Sequence, residues 1–211
     1  MDFWIPAAAT AVSAYLLGSV NSAILVARLT RRADIRSQGS GNAGTTNMLR
    51  TYGKAAAAAT ALGDLAKAVL AVLLARGLFV WTGAAAPGFD PGWLAGLFAI
   101  LGHIWPVYFR FKGGKGVMPA VGVVLLVDPF AALVLLVLAV AAFLLSRTMS
   151  VVSLCAAVEL PLVTLALRLA RQVDPLVETL FALVYGILVV VSHRENLKRL
   201  WKGTEKPLVP R

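Results

Sequence analysis

Three polar segments of this chain hold residue types that bind anions. The first reads Gly39-Ser40-Gly41-Asn42-Ala43-Gly44-Thr45-Thr46-Asn47-Met48-Leu49-Arg50. Its glycines let the backbone turn N–H groups inward, and Ser40, Asn42, Thr46 and Asn47 add side-chain donors, so it can form an anion nest. The same composition also serves a flexible interhelical loop. The second is Gly102-His103-Ile104-Trp105-Pro106, followed by Phe111-Lys112-Gly113-Gly114-Lys115-Gly116-Val117. Glycine and lysine just before a helix resemble a phosphate cradle, where free N–H groups and the positive end of the helix dipole meet an anion. The spacing is not that of a Walker A loop, and a lysine-rich membrane edge also serves as a topology anchor. His103 reads as a mid-helix residue in an apolar run; facing lipid would be costly, so it either packs on polar partners or has a function. The third runs from Ser192 to Glu205; if helical, it sets His193 and Asn196 at i and i+3 on one face. The competing reading is a basic amphipathic tail lying on anionic lipid.

Absent patterns narrow the chemistry. The ten acids are scattered, with no tight carboxylate cluster to hold Mg²⁺ and no Cys/His set for zinc, so neither metal nor cofactor is expected. No Gly-x-Ser-x-Gly elbow is present. Neither His103 nor His193 is followed five positions on by Asp, the spacing of the acyl-CoA-dependent glycerolipid acyltransferases. What remains is a metal-free set of Arg, Lys, Gly, Ser and Asn suited to holding phosphate at a membrane surface.

The elements that must position these segments are membrane helices. The chain is 59% hydrophobic and 14% charged, too apolar for a soluble domain, and its apolar residues come in blocks. A formal charge of +10 therefore does not point to nucleic acid, because most of the chain cannot face water. Cys155 is alone, so no intramolecular disulfide forms. Spans are expected over 3–29, 55–81, 93–109, 151–169 and 175–192, each near the roughly 17–25 residues a bilayer requires. Asp128-Pro129 divides the apolar stretch 117–146, since proline disfavours helix at the residue before it; Val117–Val127 and Pro129–Ser146 result.

The expected fold is thus all-α and polytopic, with seven transmembrane helices, the N-terminus outside and the C-terminus cytoplasmic. That topology puts sixteen of the 20 Lys and Arg on the cytoplasmic side, leaving only Arg76, Arg168 and Arg171 outside and Lys67 within a helix. Six helices would split the basic clusters between two sides. Asp64 and Lys67, at i and i+3, are expected to neutralise each other as a structural pair within the bilayer. The start of the chain lacks the positive charge of a signal peptide, so its apolar run is expected to stay as a helix. A single membrane domain is expected over 1–207. The final Leu208-Val209-Pro210-Arg211 resembles a protease-site remnant and is set apart.

At the three polar segments the sequence resembles the bacterial membrane acyl-phosphate:glycerol-3-phosphate acyltransferases. That family's first motif, Gly-Ser-Gly-Asn-x-Gly-Ala-Thr-Asn-x-x-Arg, matches from Gly39 to Arg50 with Thr45 in place of Ala. Its second, Gly-His-x-Phe-Pro with Phe-Lys-Gly-Gly-Lys-Gly-Val, matches from Gly102 with Trp105 in place of Phe. Its third, His-Arg-x-Asn-Ile-x-Arg-Leu-x-x-Gly-x-Glu, matches from His193 to Glu205 with Leu197 in place of Ile. Asn21 stands where members usually have Pro, and Met118-Pro119 where Ala-Thr is usual.

The resemblance implies transfer of a fatty acyl group from acyl phosphate to the 1-hydroxyl of glycerol 3-phosphate, the entry step to bacterial phospholipids. It implies a protein of the bacterial inner membrane with its active site on the cytoplasmic side, in contact with membrane lipid; a monomer is one state compatible with the sequence, which does not decide it. Acyl phosphate is a mixed anhydride with a good leaving group, so orientation and charge screening carry much of the rate. Ser40, His193 and Asn196 are the catalytic expectations. Gly39, Gly41, Asn42, Thr46, Asn47, Arg50, His103, Lys112, Gly113, Gly114, Lys115 and Gly116 are expected to hold substrate. Arg50, Lys115, His193 and Asn196 fall to glycerol 3-phosphate, and Ser40 with Gly113 and Gly114 to acyl phosphate. Ser150, or Ser153 one turn on, adds a donor, and Glu205 is structural. With no acid to orient His193, the substrate's own phosphate is the expected proton acceptor. Two other readings compete: a small-anion transporter, whose site belongs at the midplane, and a lipid-binding scaffold, which explains the tail alone.

Overall fold

The structure, a computed structural model, describes residues 2–31 and 33–208. Among these residues ten α-helices follow one another: α1 Trp4–Ser19, α2 Ser22–Arg31, α3 Thr45–Tyr52, α4 Lys54–Thr82, α5 Pro91–Ile104, α6 Val117–Val127, α7 Pro129–Ser146, α8 Met149–Ala170, α9 Leu176–Ser192 and α10 Arg194–Trp201. Short 3-10 turns lie at Ile35–Ser37 and Val107–Phe109. Five segments are long and apolar enough to cross a membrane: Trp4–Arg31, Lys54–Thr82, Pro91–Phe109, Pro129–Ser146 and Met149–Ala170. The α9–α10 pair, bent by 61°, makes six if taken as one span. The eleven residues of α6 rise only about 16 Å, near half the hydrocarbon thickness.

Chain packing divides the molecule into two units, Met1–Val127 and Asp128–Arg211. In the first, α4 lies against α1, α2, α3, α5 and α6, and α1 packs on α5. Small residues set that last crossing: a Cβ at Gly18 would overlap Ala99 O, and one at Gly102 would overlap Tyr15 O. Close backbone approach of this kind is how helices gain packing energy where lipid removes the hydrophobic drive. In the second unit α8 lies between α7 and α9, and Gly186 meets Ala157 in the same manner. Asp128 caps α7 by accepting from Ala131 N at 3.0 Å, Pro129 opens the helix, and Arg171 pairs with the Asp128 carboxylate at 2.7 Å. Leu208 donates its N–H to Arg147 O; the rest of the tail set apart above, 209–211, lies outside the described residues.

The single helix expected over 3–29 is broken. α1 stops at Ser19 and α2 starts at Ser22, with Val20 in an extended conformation. Backbone groups freed inside a membrane need partners, and α4 supplies them. Lys67 Nζ donates to Gly18 O at 2.9 Å and Val20 O at 2.7 Å, while Asp64 Oδ1 accepts from Ser22 N at 3.4 Å. The two side chains also pair with each other at 3.0 Å. Asn21 completes the break: its Oδ1 accepts from Ile24 N as an N-cap of α2, and its Nδ2 donates to Ala43 O in the first motif. This accounts for Asn where the family pattern has Pro.

Two more boundaries differ from expectation. The first motif is a loop only as far as Gly44, and α3 begins at Thr45. α5 ends at Ile104 rather than running to 109, because Trp105 precedes Pro106 and leaves helical geometry. His103 therefore sits in the last turn of α5, not at mid-helix.

Candidate active site

The first-motif loop is organised around one buried side chain. Asn47, 2% exposed, donates from Nδ2 to Gln38 O and Asn42 O at 3.0 Å and to Ile35 O at 3.3 Å. Its Oδ1 accepts from Ser40 N at 3.0 Å and Thr51 Oγ1 at 3.5 Å. The carboxamide thus replaces the ladder this irregular backbone lacks. Gly39 sits in the left-handed region at φ 58°, and a Cβ there would overlap Asn47 Oδ1. The hydrogen bonds of the Asn47 side chain thus run to residues 35–42 and to Thr51 of α3. Ser40 is exposed, and Arg50 stands exposed one turn beyond Thr46 on the same side of α3. The first-turn N–H groups of Thr45 and Thr46 have no helical acceptor and suit an anion.

Arg36 ties this loop to the second motif, and composition gave no hint of it. Its Nη1 donates to Phe109 O at 2.8 Å and Lys112 O at 3.1 Å, while Nε and Nη2 hold Asp34. The hydrogen bond from Arg36 draws the Asp34 carboxyl down to about 2, against a smaller upward push from burial. Arg28 stacks over Phe109 at 5.4 Å, closing the same corner.

In the second motif the chain doubles back on α5. Gly113 N donates to Ile104 O at 3.1 Å and Gly114 N to His103 O at 3.0 Å. These two N–H groups are therefore engaged within the protein. The two glycines serve close approach: a Cβ at Gly113 would overlap His103 O, and one at Gly114 would overlap His103 Nε2. The N–H groups left for an anion are those at the start of α6, from Gly116 to Met118, since Pro119 has none. Lys115 is half-buried beside them and Lys112 is exposed. His103, 3% exposed, meets Lys67 Nζ through Nδ1 at 3.0 Å. Its Nε2 lies against Gly114 of the second motif.

The third motif forms a hub in the second unit. Glu205 accepts from Ser150 Oγ at 2.9 Å and Asn196 Nδ2 at 2.7 Å on Oε1, and from Arg199 Nε at 2.6 Å on Oε2. Burial pushes the Glu205 carboxyl up, and the bonds from Arg199, Asn196 and Ser150 together bring it below the ordinary glutamate value. Ser150 thus gives its proton to Glu205, and Ser153 gives its own to Met149 O within α8. The donor role expected of these two serines is filled inside the protein. His193 is the hinge between α9 and α10, and both it and Asn196 are buried. The His193 Nδ1 contact to Val189 O at 2.8 Å requires a proton on Nδ1, because a carbonyl only accepts. Nε2 of neutral His193 then carries a lone pair. A backbone carbonyl orients the ring where sequence reasoning found no acid to do so.

A helical, multi-pass membrane protein with two glycine-rich motifs and a basic last motif is the class these features define. The family model described as glycerol-3-phosphate acyltransferase matches residues 8–203. The chain is 44% identical over 207 residues to the glycerol-3-phosphate acyltransferase of Pseudomonas entomophila, covering 97% of this chain and 98% of that one. It is 39% identical over 199 residues to that of Thermoanaerobacter pseudethanolicus, covering 94% of each. The crystal structure of PlsY (YgiH), an integral membrane glycerol 3-phosphate acyltransferase, in its glycerol 3-phosphate form superposes with a TM-score of 0.82 at 35% identity, covering 95% of this chain and 94% of that chain. Its lysophosphatidic acid form superposes with a TM-score of 0.79 at 34% identity. This chain belongs to the glycerol-3-phosphate acyltransferase family.

Proposed function

We propose that this chain transfers a fatty acyl group from acyl phosphate to the 1-hydroxyl of glycerol 3-phosphate, giving lysophosphatidic acid and inorganic phosphate at the cytoplasmic side of a bacterial inner membrane. The observation that carries this reading is the pairing of an anion-ready helix start at Gly116 with Lys115, beside a first-motif loop held rigid by Asn47. A relative that bears the acyltransferase name, crystallised in a glycerol 3-phosphate form and in a lysophosphatidic acid form, supports the substrate and the product. The acceptor hydroxyl attacks the acyl carbonyl carbon, the mixed-anhydride C–O bond breaks, and phosphate leaves. Arg50 and Lys115 offset the charge of phosphate. The hydroxyl proton goes to a phosphate oxygen, and the reaction needs neither metal nor CoA thioester.

Two results test the assignment. Arg50→Ala and Lys115→Ala should each raise KM for glycerol 3-phosphate tenfold or more, since a charge-assisted contact is worth about 1.5–3 kcal/mol. Turnover should persist in excess chelator. Unchanged KM in both variants, or activity restored only by Mg²⁺, would remove it.

His193→Gln separates the two proton acceptors. Gln keeps the hydrogen bonding of His193 but is no base near neutral pH. With phosphate as acceptor, kcat should fall about tenfold; a general base would cost roughly 10²–10⁴. A loss beyond a thousandfold in a folded variant makes His193 Nε2 the base.

The topology proposed is seven crossings with the N-terminus outside, with α6 as a short crossing under a locally thinned bilayer. The charge asymmetry supports it: Arg76, in the last third of α4, is the one basic residue between Lys67 and Arg110, whereas the residues after Ser192 hold six of the 20 Lys and Arg. Reporter fusions at Gly88 and after Glu205 should report opposite sides, and the same side for both would rule it out.

A further inference from the structure

His103 is held by its neighbours in a way that fixes where its proton sits. Lys67 Nζ contacts Gly18 O, Val20 O, Asp64 Oδ1 and His103 Nδ1, at 2.9, 2.7, 3.0 and 3.0 Å. An ammonium has three protons and no acceptor. Two protons serve the carbonyls, and the third faces the side shared by the carboxylate and the imidazole. A neutral amine would have only two protons for three oxygens, and its lone pair would oppose one of them. The ammonium is therefore the state that gives every oxygen a donor, and it balances the charge of Asp64. Nδ1 lies 3.6 Å from Asp64 Oδ1, too far for a hydrogen bond, and 3.0 Å from the ammonium, so Nδ1 accepts and neutral His103 carries its proton on Nε2.

The other edge of the ring faces the motifs. A Cβ built on Gly114 would overlap Nε2 and lie 2.8 Å from Ala43 O. Nε2 thus sits where the second motif, at Gly114, meets the first, at Ala43. The residue after Gly114, Lys115, and the N–H groups at the start of α6 are the parts of the chain assigned above to phosphate. Lys67, His103, Ala43 and Gly114 all belong to the first unit.

We propose that Lys67 is a positioning residue that locks His103 in the Nε2–H tautomer and so presents a neutral N–H donor to the anionic groups of the substrates where the two glycine motifs meet. The proposal rests on the acyltransferase reading for the identity of those substrates, and not for the tautomer. A neutral donor suits the place: a second cation there would have to be desolvated beside Lys67, whereas an imidazole N–H adds a hydrogen bond without adding charge. Asp64 has a matching part, since it keeps the Lys67 ammonium charged within the bilayer.

The test is ¹⁵N spectroscopy of histidine-labelled full-length protein in lipid or detergent. The chain has two histidines, so comparison with His193→Gln assigns the His103 signals. The expected spectrum has Nε2 of His103 protonated and Nδ1 unprotonated, in one population. Adding glycerol 3-phosphate, and separately a long-chain acyl phosphate, should move the Nε2 resonance with at least one of them. In Lys67→Met the tautomers should mix, and KM for the substrate that moves the resonance should rise about tenfold with kcat changed far less, the size of one hydrogen bond to a charged group. A proton on Nδ1 in the unaltered protein overturns the lock, and this result stands even where Lys67→Met fails to fold. A resonance unmoved by both substrates overturns the donor role and leaves His103 as packing against Gly114. Failure of the acyltransferase reading is distinguishable, because then the unaltered protein yields no product while the substrate-free spectrum still reports the tautomer.

Discussion

Asn47→Ala is expected to cut kcat/KM by a hundredfold or more while leaving the protein folded in the membrane. The side chain bonds Ile35 O, Gln38 O, Asn42 O and Ser40 N. Alanine removes every one of these and leaves the groups beneath it without partners. Neutral hydrogen bonds contribute about 1 kcal/mol each net, and an unsatisfied buried group costs about 1–3 kcal/mol. The local loss is therefore several kcal/mol, enough to release the loop that carries Ser40 and leads into α3. The long helices do not depend on it, so thermal unfolding should shift by only a few degrees. Asn47→Asp separates the two halves of the bond set. It keeps an acceptor for Ser40 N but turns a negative oxygen towards the carbonyls, so it should be as inactive as alanine. Activity of Asn47→Ala within threefold of the unaltered protein would show that the loop holds its shape by other means.

Glu205→Ala is expected to be the most damaging single change in the second unit. Ser150 and Asn196 would lose their shared acceptor in a buried place, and Arg199 its counter-ion. Two buried donors left unsatisfied cost about 1–3 kcal/mol each. The Arg199 share is discounted, because that side chain is 40% exposed and water can replace the carboxylate. Together the expected loss is about 3 kcal/mol, seen as a fall in unfolding temperature and in soluble yield. Glu205→Gln should be milder, since its carbonyl oxygen still accepts from Ser150 and Asn196. The pH dependence has a definite sign. Glu205 titrates below the ordinary glutamate value of 4.5, so its contribution is complete above that pH and drains away as pH falls further. The stability gap between the unaltered protein and Glu205→Gln should be constant above about pH 5.5 and narrow below 4.5. A gap that widens on acidification would contradict the hub.

Much of this was legible in the sequence, and what was hidden has a common cause. The apolar blocks gave Pro129–Ser146 to the residue, because Asp128-Pro129 is a cap and a helix start written in consecutive letters. The i,i+3 spacing of Asp64 and Lys67 gave their ion pair. The break at Val20-Asn21 was not visible, since the partners that make it tolerable lie on α4, more than forty residues away. The same holds for Arg36, whose use is to reach the carbonyls of Phe109 and Lys112. Residue type said that Gly113, Gly114, Ser150 and Asn47 own donors. Only the fold says that these donors are already engaged by His103, Ile104, Glu205 and the first-motif loop. Composition locates a polar site well, and it does not tell the groups that touch substrate from those that hold them in place.

The most direct test of the central claim uses purified protein in lipid or detergent with a long-chain acyl phosphate and labelled glycerol 3-phosphate, product being identified by mass. The account predicts lysophosphatidic acid acylated at the 1-position, together with an equal amount of inorganic phosphate. It predicts no product when acyl-CoA replaces acyl phosphate. Product from acyl-CoA alone, or none from acyl phosphate with a folded protein, would contradict it.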